Sequence, residues 1–431
     1  MGAWNELTQA VDQIEPISAQ GRVSKIVGLM VEAAGPRASV GEYCHLVTRD
    51  GRELPAEVVG FRDATTLLMP LGELEGIAPG DRVLPQRRKL TVSVGPGLLG
   101  RILDGLGHPL DGRPLKTGDA YPLQNAPPNA LLRPRISEPL SVGVRTIDGL
   151  LTICRGQRMG IFAGSGVGKS TLLGMMARNT VAEVDVIALV GERGRELRDF
   201  IEKDLGPEGL ARSVIVVATS DQPALVRLKA AFTATAIAEF FRDQGQNVLL
   251  MMDSVTRFAM AQREVGLTVG EPPATRGYPP SVFASLPKLL ERSGMAETGS
   301  ITGIYTVLVD GDDHNEPIAD AVRGILDGHI VLTRELAMQN NFPAIDVLQS
   351  VSRVMNDVVS TEQKTWAGKV REHLAVYREA KDLIDIGAYA AGSNPKIDAA
   401  IEHMERILAF TRQGIEEHTG YEEVLKLLKE I

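Results

Sequence analysis

The spacing of apolar residues changes several times along the chain and divides it into segments of different predicted structure. Residues 3–14 place Trp4, Leu7, Val11 and Ile14 on one face of a helix, with acidic and amide side chains between them. A proline follows and isolates this pattern from the rest of the chain. The segment predicts a short amphipathic helix that binds a partner protein, because an acidic polar face is poorly suited to an anionic membrane surface.

A pattern of short, interrupted apolar runs extends from about residue 21 to 89. Short apolar runs such as Arg22–Val31, Tyr43–Thr48 and Ala56–Phe61 are interrupted at close intervals by Gly, Pro and Asp-Gly. Such spacing is typical of a small all-β barrel or sandwich. The Gly- and Pro-rich passage that follows, through Pro139, is interpreted as a winding entry into the next domain.

Between about residues 140 and 350, apolar strands alternate with helical patterns, which is the signature of a parallel α/β sheet. The segments that read as buried strands are Met159–Ala163, Val186–Val190, Val214–Ala218, Val248–Asp253 and Ile304–Val309. After about residue 360 only helical spacing remains. We therefore expect an α/β protein divided into a partner-binding helix (1–20), a β-barrel (21–89), a sheet-containing domain (90–360) and a helical domain (361–431).

Charge and cysteine content narrow the class of protein. The formal net charge of −9 argues against a dedicated nucleic-acid binder, which usually carries a basic surplus. Cys44 and Cys154 lie far apart and match no metal spacing, so we expect reduced thiols. The sequence has no secretory signal pattern and no run near the roughly 20 apolar residues of a membrane helix. We expect a soluble, cytoplasmic protein.

A glycine-rich loop is the strongest chemical signal. Gly164-Ser165-Gly166-Val167-Gly168-Lys169-Ser170-Thr171 follows an apolar strand and precedes a helical run. Backbone N–H groups that converge on a helix N-terminus bind phosphate, Lys169 adds charge for the β- and γ-phosphates, and Ser170 offers a hydroxyl to Mg²⁺. The strict pattern has glycine where this chain has Ala163. A plain strand–helix turn is the alternative, and the spacing excludes a dinucleotide-binding loop.

Two carboxylates follow predicted strands. Asp253 ends the strand Val248–Met252, where an acid can hold Mg²⁺ through water, although it can also cap the next turn. Glu192 follows Val186–Val190 and is placed to polarise an attacking water. From the residues alone, a surface charge or a helix cap explains Glu192 equally well.

Several passages together resemble the catalytic subunits of the rotary ATP synthase superfamily, over nearly the whole chain. They are Gly164–Thr171, Gly191–Glu196 and Pro343–Ser352. Within the superfamily the sequence is most similar to type III secretion ATPases, and Ser352–Asp357 and Ile386–Asn394 resemble the flagellar branch. The resemblance implies a RecA-like P-loop NTPase core between a β-barrel and a helical C-terminal domain.

The same resemblance assigns roles to particular residues. It implies that Glu192 is the catalytic carboxylate, that Arg193 helps to hold the γ-phosphate, and that Arg257 faces the phosphates. Arg353 matches the arginine finger that reaches into a neighbouring subunit's site, and Phe342 falls where an aromatic ring stacks on adenine. From the residues alone, a surface ion pair fits Arg353 and a core aromatic fits Phe342.

The resemblance also implies function and partners. It predicts Mg²⁺-dependent ATP hydrolysis by a homo-hexameric ring at the inner face of the cell membrane, where the ring energises flagellar protein export. Expected partners are a regulator or stalk protein bound by the N-terminal helix, a coiled-coil central stalk, the export gate and substrate–chaperone complexes. No specific nucleic acid is expected.

Four other functions stay open at this point. The chain fits the ATPase of a virulence injectisome or a rotary synthase subunit, although a synthase catalytic subunit needs a distinct partner in the ring. An RNA-dependent ring helicase would predict a basic pore, which the acidic balance does not favour. A non-catalytic nucleotide-binding subunit would not need both Lys169 and Glu192.

Overall fold

The computed structural model describes residues 19–115, 118–309 and 316–431. Two compact units divide the chain: one is Met1–Leu90 with Leu267–Glu271, and the other is Thr91–Gly266 with Pro272–Ile431. The amphipathic helix predicted for residues 3–14 lies outside the described residues.

The first unit contains a closed antiparallel β-barrel, as the sequence predicts. Its strands are β1 (Gly21–Val27), β2 (Met30–Ala34), β3 (Glu42–Val47), β4 (Glu53–Arg62), β5 (Thr65–Pro70) and β6 (Arg82–Lys89), in the order β1-β2-β5-β4-β3-β6. Val31, Cys44, Leu46, Leu68 and Val83 are fully buried and form its core. Closure leaves the barrel without a free edge strand.

The second unit is built on a mostly parallel sheet. Its strands are β8 (Arg101–Asp104), β10 (Arg158–Ala163), β11 (Val184–Val190), β12 (Ser213–Ala218), β13 (Asn247–Asp253), β14 (Gly294–Met295), β15 (Ser300–Leu308), β16 (Gly328–Leu332) and β17 (Val351–Ser352). The order is β17-β16-β10-β15-β13-β11-β12-β8, with β14 antiparallel to β15. Every residue of β11 and β12 is buried, as expected for strands covered by helices on both faces.

Helices connect and cover these strands. They are α1 (Arg145–Leu150), α2 (Lys169–Asn179), α3 (Gly194–Asp199), α4 (Gly206–Ala211), α5 (Ala224–Asp243), α6 (Val255–Val269), α7 (Pro280–Leu290), α8 (Pro317–Ile325), α9 (Arg334–Met338) and α10 (Met355–Val358), followed by α11 (Thr361–Asp385), α12 (Pro395–Thr411) and α13 (Tyr421–Lys429). The last three form the helical region predicted for the end of the chain. No helix in the described ranges combines the length and the apolar character of a membrane span.

The passage interpreted as a winding entry holds regular structure, so that interpretation is wrong in part. β7 (Thr91–Val94) pairs with β9 (Asp119–Pro122) in a two-stranded ribbon, and β8 adds to the main sheet beside β12. β8 is only four residues long and alternates buried with half-buried positions. Such a short edge strand contains no continuous apolar run, and the glycines around it interrupt the spacing of apolar residues that predicts a strand.

A buried ion pair joins α5 to the segment after α7. Glu239 and Arg292 have almost no exposed side-chain surface, and the guanidinium meets the carboxylate through two hydrogen bonds of 2.9 and 2.6 Å. Arg292 also donates to the carbonyl of Leu123 at 2.7 Å. The bidentate hydrogen bonding between the two side chains and the additional hydrogen bond to Leu123 offset the free-energy cost of taking both charges out of water.

Candidate active site

The glycine-rich loop lies between β10 and α2, as predicted, and lines a cavity of about 460 Å³. Gly166 and Gly168 have φ values of 78° and 90°, in the left-handed region that glycine adopts without strain. Val167 is buried beneath the loop, while Ser165 and Ser170 are exposed at the cavity. The loop thus turns its backbone toward an open space at the start of a helix, which suits an anion.

Lys169 lies between two carboxylates at the floor of this cavity. Its Nζ forms an ion pair with Asp253, and it lies 3.8 Å from Oε1 of Glu192. Asp253, the last residue of β13, is buried and accepts a hydrogen bond from the Thr306 hydroxyl at 2.7 Å. The structure therefore brings together three of the residues predicted for the site. Asp253 and Glu192 come from the ends of the neighbouring parallel strands β13 and β11, and Lys169 begins α2.

Glu192 has the electrostatics of a group that can exchange a proton near neutrality. Burial raises its pKa to about 7, the nearby Asp253 carboxylate adds to this rise, and Lys169 and Arg257 oppose it. Within the described part of the chain, Oε1 of Glu192 accepts no hydrogen bond. Glu192 lines the cavity, and a carboxylate at this place can accept a proton from water or orient it.

Two arginines predicted for the site also line the cavity. Arg257 of α6 packs against Gly191, where a Cβ would lie 2.9 Å from the Cβ of Arg257, so this close approach needs glycine. Arg193 is largely exposed and pairs with Glu196 at 3.3 Å. Glu196 was not predicted, because an acid in the first turn of a helix is common and carries no distinctive signal.

A second cavity, of about 360 Å³, adjoins the first and shares Gly168 and Thr171 with it. Phe342 lines this space, and its ring lies 3.6 Å from where a Cβ on Gly168 would be. The segment after α12, residues 413–415, also lines this cavity. Sequence reasoning missed this segment, because about 70 residues separate it from Phe342 and no motif marks it.

Arg353 is not part of the cavity in its own chain. It follows β17, where Ser352 pairs with Gly328 at the beginning of β16. Since β16 is parallel to β10, Arg353 lies at the amino edge of the sheet, whereas the phosphate loop leaves β10 at the carboxyl edge, roughly 20 Å away for a six-residue strand. Arg353 is exposed and donates to the carbonyls of Leu326 and Arg323 at 3.2 and 3.3 Å.

Protein-family models match most of the chain. Residues 143–352 match the nucleotide-binding domain of the ATP synthase alpha/beta family, and residues 23–86 match the β-barrel domain of the same family. Residues 359–430 match the T3SS EscN ATPase C-terminal domain.

Individual relatives agree with these matches. The chain is 56% identical over 425 residues to the flagellum-specific ATP synthase of Bacillus subtilis. The alignment covers 98% of this chain and 97% of that relative. It superposes with a TM-score of 0.91 on the assembled ATPase EscN of the enteropathogenic E. coli type III secretion system, at 48% identity, covering 95% of this chain and 99% of EscN. EscN in complex with its central stalk EscO gives a TM-score of 0.88 at the same identity and coverage.

Proposed function

The chain belongs to the ATP synthase alpha/beta family, and from this membership and the geometry of its cavity we propose that it hydrolyses Mg²⁺-ATP in a homo-hexameric ring that energises flagellar protein export. The observation that carries the proposal is the cluster of Lys169, Glu192 and Asp253 beneath the glycine-rich loop. Binding of triphosphate and activation of water both need charged groups at this place.

Binding is assigned to the loop and its flanking arginines. Backbone N–H groups of Gly164–Thr171 surround the phosphates, and Lys169 neutralises the β- and γ-phosphates. Arg193 and Arg257 line the same cavity and face the γ-phosphate. Phe342 borders the adjoining cavity, where it stacks on the base.

The residues present fit a magnesium ion held together with the nucleotide. Ser170 supplies a hydroxyl and Asp253 a buried carboxylate, and oxygen ligands are those that Mg²⁺ prefers. In the described ranges no group of three or more metal-ligating side chains occurs, so the protein alone offers few ligands. Mg²⁺ usually takes its remaining ligands from phosphate and water, where it neutralises charge on the phosphates.

Water activation is assigned to Glu192. Its pKa of about 7 keeps a substantial fraction ionised at neutral pH, and the residue lines the phosphate cavity. The carboxylate orients the attacking water and accepts its proton as the water oxygen bonds to the γ-phosphorus. The bond from the γ-phosphorus to the oxygen bridging the β- and γ-phosphates breaks, and ADP leaves. Lys169 and Arg257 hold positive charge next to the phosphoryl group while this happens.

The charge that develops in the transition state needs a further cation, and we assign it to Arg353 of a neighbouring chain. The location of Arg353 at the far edge of its own sheet supports this assignment, because it is exposed and separate from its own cavity. An arginine supplied in this way increases the rate by roughly 10³–10⁵.

The partners proposed for this chain follow from its relatives. EscN was solved in complex with its central stalk EscO, so we propose that a coiled-coil stalk enters the ring of this protein as well. We further propose that residues 1–20 bind an export regulator, that the ring engages the export gate and substrate–chaperone complexes, and that it lies in the cytoplasm against the inner face of the membrane. We also propose that the domains of the chain end at residues 20, 89 and 360.

A virulence injectisome is the second candidate system, because EscN of a type III secretion system superposes over 95% of this chain. Restoring motility in a flagellar ATPase deletion strain distinguishes the two systems. Recovery of motility supports flagellar export, and recovery of injectisome secretion alone supports the alternative.

The enzyme and the ring are tested together by measuring phosphate release against protein concentration. A site completed by two chains predicts that activity per chain rises steeply with concentration, in parallel with assembly seen by light scattering. Constant specific activity across a thousandfold dilution, with chains monomeric throughout, would exclude the shared site.

A further inference from the structure

The guanidinium of Arg353 is held by backbone carbonyls at the end of α8. Nη1 and Nη2 donate to the carbonyls of Leu326 and Arg323 at 3.2 and 3.3 Å, and the backbone N–H of Arg353 donates to the Asp327 carbonyl at 3.0 Å. Neutral carbonyl oxygens orient a guanidinium without neutralising its charge. An arginine held in this way keeps its positive charge available to an anion.

Arg158, the first residue of β10, fastens Asp327 to the sheet. Nε and Nη2 of Arg158 donate to Oδ2 and Oδ1 of the Asp327 carboxylate at 3.1 and 3.2 Å. The backbone of Arg158 takes part as well, because its N–H donates to Oδ2 at 3.0 Å and its carbonyl accepts from the Asp327 N–H at 2.8 Å. A bidentate pair fixes direction as well as distance, so the carbonyls that hold Arg353 are anchored to the sheet.

Gln157, which is fully buried, connects the two segments that hold Arg353. Its Nε2 donates to the Asp327 carbonyl at 3.1 Å and to the Ser352 hydroxyl at 3.0 Å. Ser352 directly precedes Arg353 at the end of β17. The start of β10 therefore anchors both the acceptors of the guanidinium and the backbone that carries it.

The pair of Arg158 and Asp327 is remote from the nucleotide cavity of its own chain. Arg158 begins β10 and the glycine-rich loop follows the end of this strand, so the two lie at opposite edges of the sheet. Only 13% of the Arg158 side chain and 27% of the Asp327 side chain are exposed, so solvent screens the pair less than it screens a surface ion pair. Loss of the pair should spare nucleotide binding in the chain that carries the change.

We infer that Arg158 and Asp327 are positioning residues for hydrolysis in the neighbouring chain, because their bidentate pair anchors the carbonyls that aim Arg353. The inference rests on the proposed function, in which Arg353 acts on the site of a neighbour. An arginine that stabilises a transition state must be held in place before the reaction, and a displacement of about 1 Å can cost about 10²-fold in rate.

The first measurement is made on Asp327→Ala alone. We expect kcat to fall by about 10²-fold, because Arg353 loses its anchored acceptors. The Kd for a fluorescent ATP analogue should stay unchanged, since Arg353 contributes to the transition state and not to binding in its own chain. Asp199→Ala removes an exposed carboxylate that pairs with Lys203 and should keep full activity.

Mixtures of variants locate the defect, because a chain can fail as the owner of a cavity or as the donor of Arg353. Glu192→Gln chains have an inactive cavity and an intact Arg353, whereas Arg353→Ala chains have an intact cavity and nothing to donate. Asp327→Ala should therefore recover activity when mixed with Glu192→Gln and gain none with Arg353→Ala. A general loss of structure would not produce this one-sided rescue.

Each other outcome contradicts the inference. Wild-type kcat in Asp327→Ala, rescue by Arg353→Ala, or rescue by neither variant would show that Asp327 does not act through Arg353. The reference mixture of Glu192→Gln and Arg353→Ala separates this failure from a failure of the proposed function. If the reference mixture recovers activity, the shared site stands and only the positioning role falls. If it stays inactive although labelled chains exchange, the shared site falls and the positioning role falls with it.

Arg158→Lys provides a second variant in case Asp327→Ala does not assemble by light scattering. Lysine keeps the positive charge beside Asp327 and loses the bidentate geometry. We expect a smaller fall in kcat, an unchanged Kd and the same rescue by Glu192→Gln only. Wild-type kcat in Arg158→Lys, or rescue by Arg353→Ala, would overturn the inference.

Discussion

Lys169 and Glu192 face each other across the floor of the phosphate cavity, with Nζ of the lysine 3.8 Å from Oε1 of the glutamate. Lys169 also pairs with Asp253, so one cation serves two carboxylates. We expect the three groups to couple nucleotide binding to water activation, because an incoming triphosphate would compete with both carboxylates for the same ammonium group. Mutations at the three positions should therefore have different effects on nucleotide binding and on turnover.

Replacing Lys169 should abolish nucleotide binding. Lys169→Ala removes the positive charge assigned to the β- and γ-phosphates and leaves Asp253 buried without its partner. We expect Kd for a fluorescent ATP analogue to rise by at least tenfold and turnover to vanish. Lys203→Ala is the matched control, since Lys203 is exposed and pairs with Asp199, four residues earlier in the chain. Equal affinity in the two variants would contradict the assignment of the loop.

Activity should depend on the ionisation of Glu192. Its pKa is raised to about 7, so the side chain is mainly protonated below that pH and cannot accept a proton from water. We expect kcat/KM to rise through about pH 7 and level off above it, since this ratio reports the ionisation of the free enzyme. Glu192→Gln should bind ATP and lose this pH-dependent activity, whereas Glu202→Gln, in an exposed ion pair, should keep the profile. A profile of Glu192→Gln identical to the wild type would rule out Glu192 as the base.

Two inactive variants should restore activity when mixed. Glu192→Gln and Arg353→Ala should each bind ATP yet barely hydrolyse it, because both residues act mainly on the transition state. Mixed chains should form some interfaces that hold Glu192 from one chain and Arg353 from the next. We expect phosphate release to exceed the sum of the two variants, and only at concentrations where chains assemble.

The mixing experiment needs two controls. Arg198→Ala, at an exposed arginine paired with Glu202, should be fully active alone. Subunit exchange should be followed separately with fluorescently labelled chains. If exchange occurs and no mixing ratio exceeds the sum, then each chain completes its own site, or hydrolysis requires every site to act together.

The buried pair of Glu239 and Arg292 should dominate stability at its position. Arg292→Met leaves the glutamate buried without a counter-charge, which costs about 3–5 kcal/mol. We expect a clear fall in the midpoint of thermal unfolding by circular dichroism and partial recovery when Glu239→Leu is added. Arg198→Met, in an exposed pair, should leave the midpoint unchanged. A double variant less stable than Arg292→Met alone would contradict this explanation.

Local sequence patterns were enough to predict the architecture and the residues beneath the glycine-rich loop. The barrel follows from short runs broken by turns, and the glycine-rich loop follows from its position between strand and helix. Asp253 and Glu192 could be placed near the loop because carboxyl ends of parallel strands meet at one edge of a sheet. The loop and each strand are recognised from neighbouring residues, and the rule for strand ends then brings them together although Asp253 is 84 positions from Lys169.

The cavity beside Phe342 could not be predicted in the same way. Gln413 reaches it from the end of α12 and bonds to Gly143, a contact between residues 270 positions apart. No spacing rule connects positions so distant, and a glutamine outside a motif carries no signal. Phe342 and Arg353 were identified through resemblance alone, since their chemistry depends on which surfaces they face and not on their neighbours in sequence.

The opposite locations of Lys169 and Arg353 give the chain a direction. If Arg353 acts on a neighbour as proposed, one edge of the sheet carries the phosphate cavity and the other carries the arginine that completes the next cavity. Copies are then expected to associate head to tail, with two different surfaces in contact. Two chains in contact then complete one site and leave one Arg353 and one phosphate cavity without a counterpart. Only closure of the ring pairs every Arg353 with a cavity. An Arg353→Ala chain in such a ring should inactivate the site of its neighbour and leave its own site active, so the defect is expected one position away from the mutated chain.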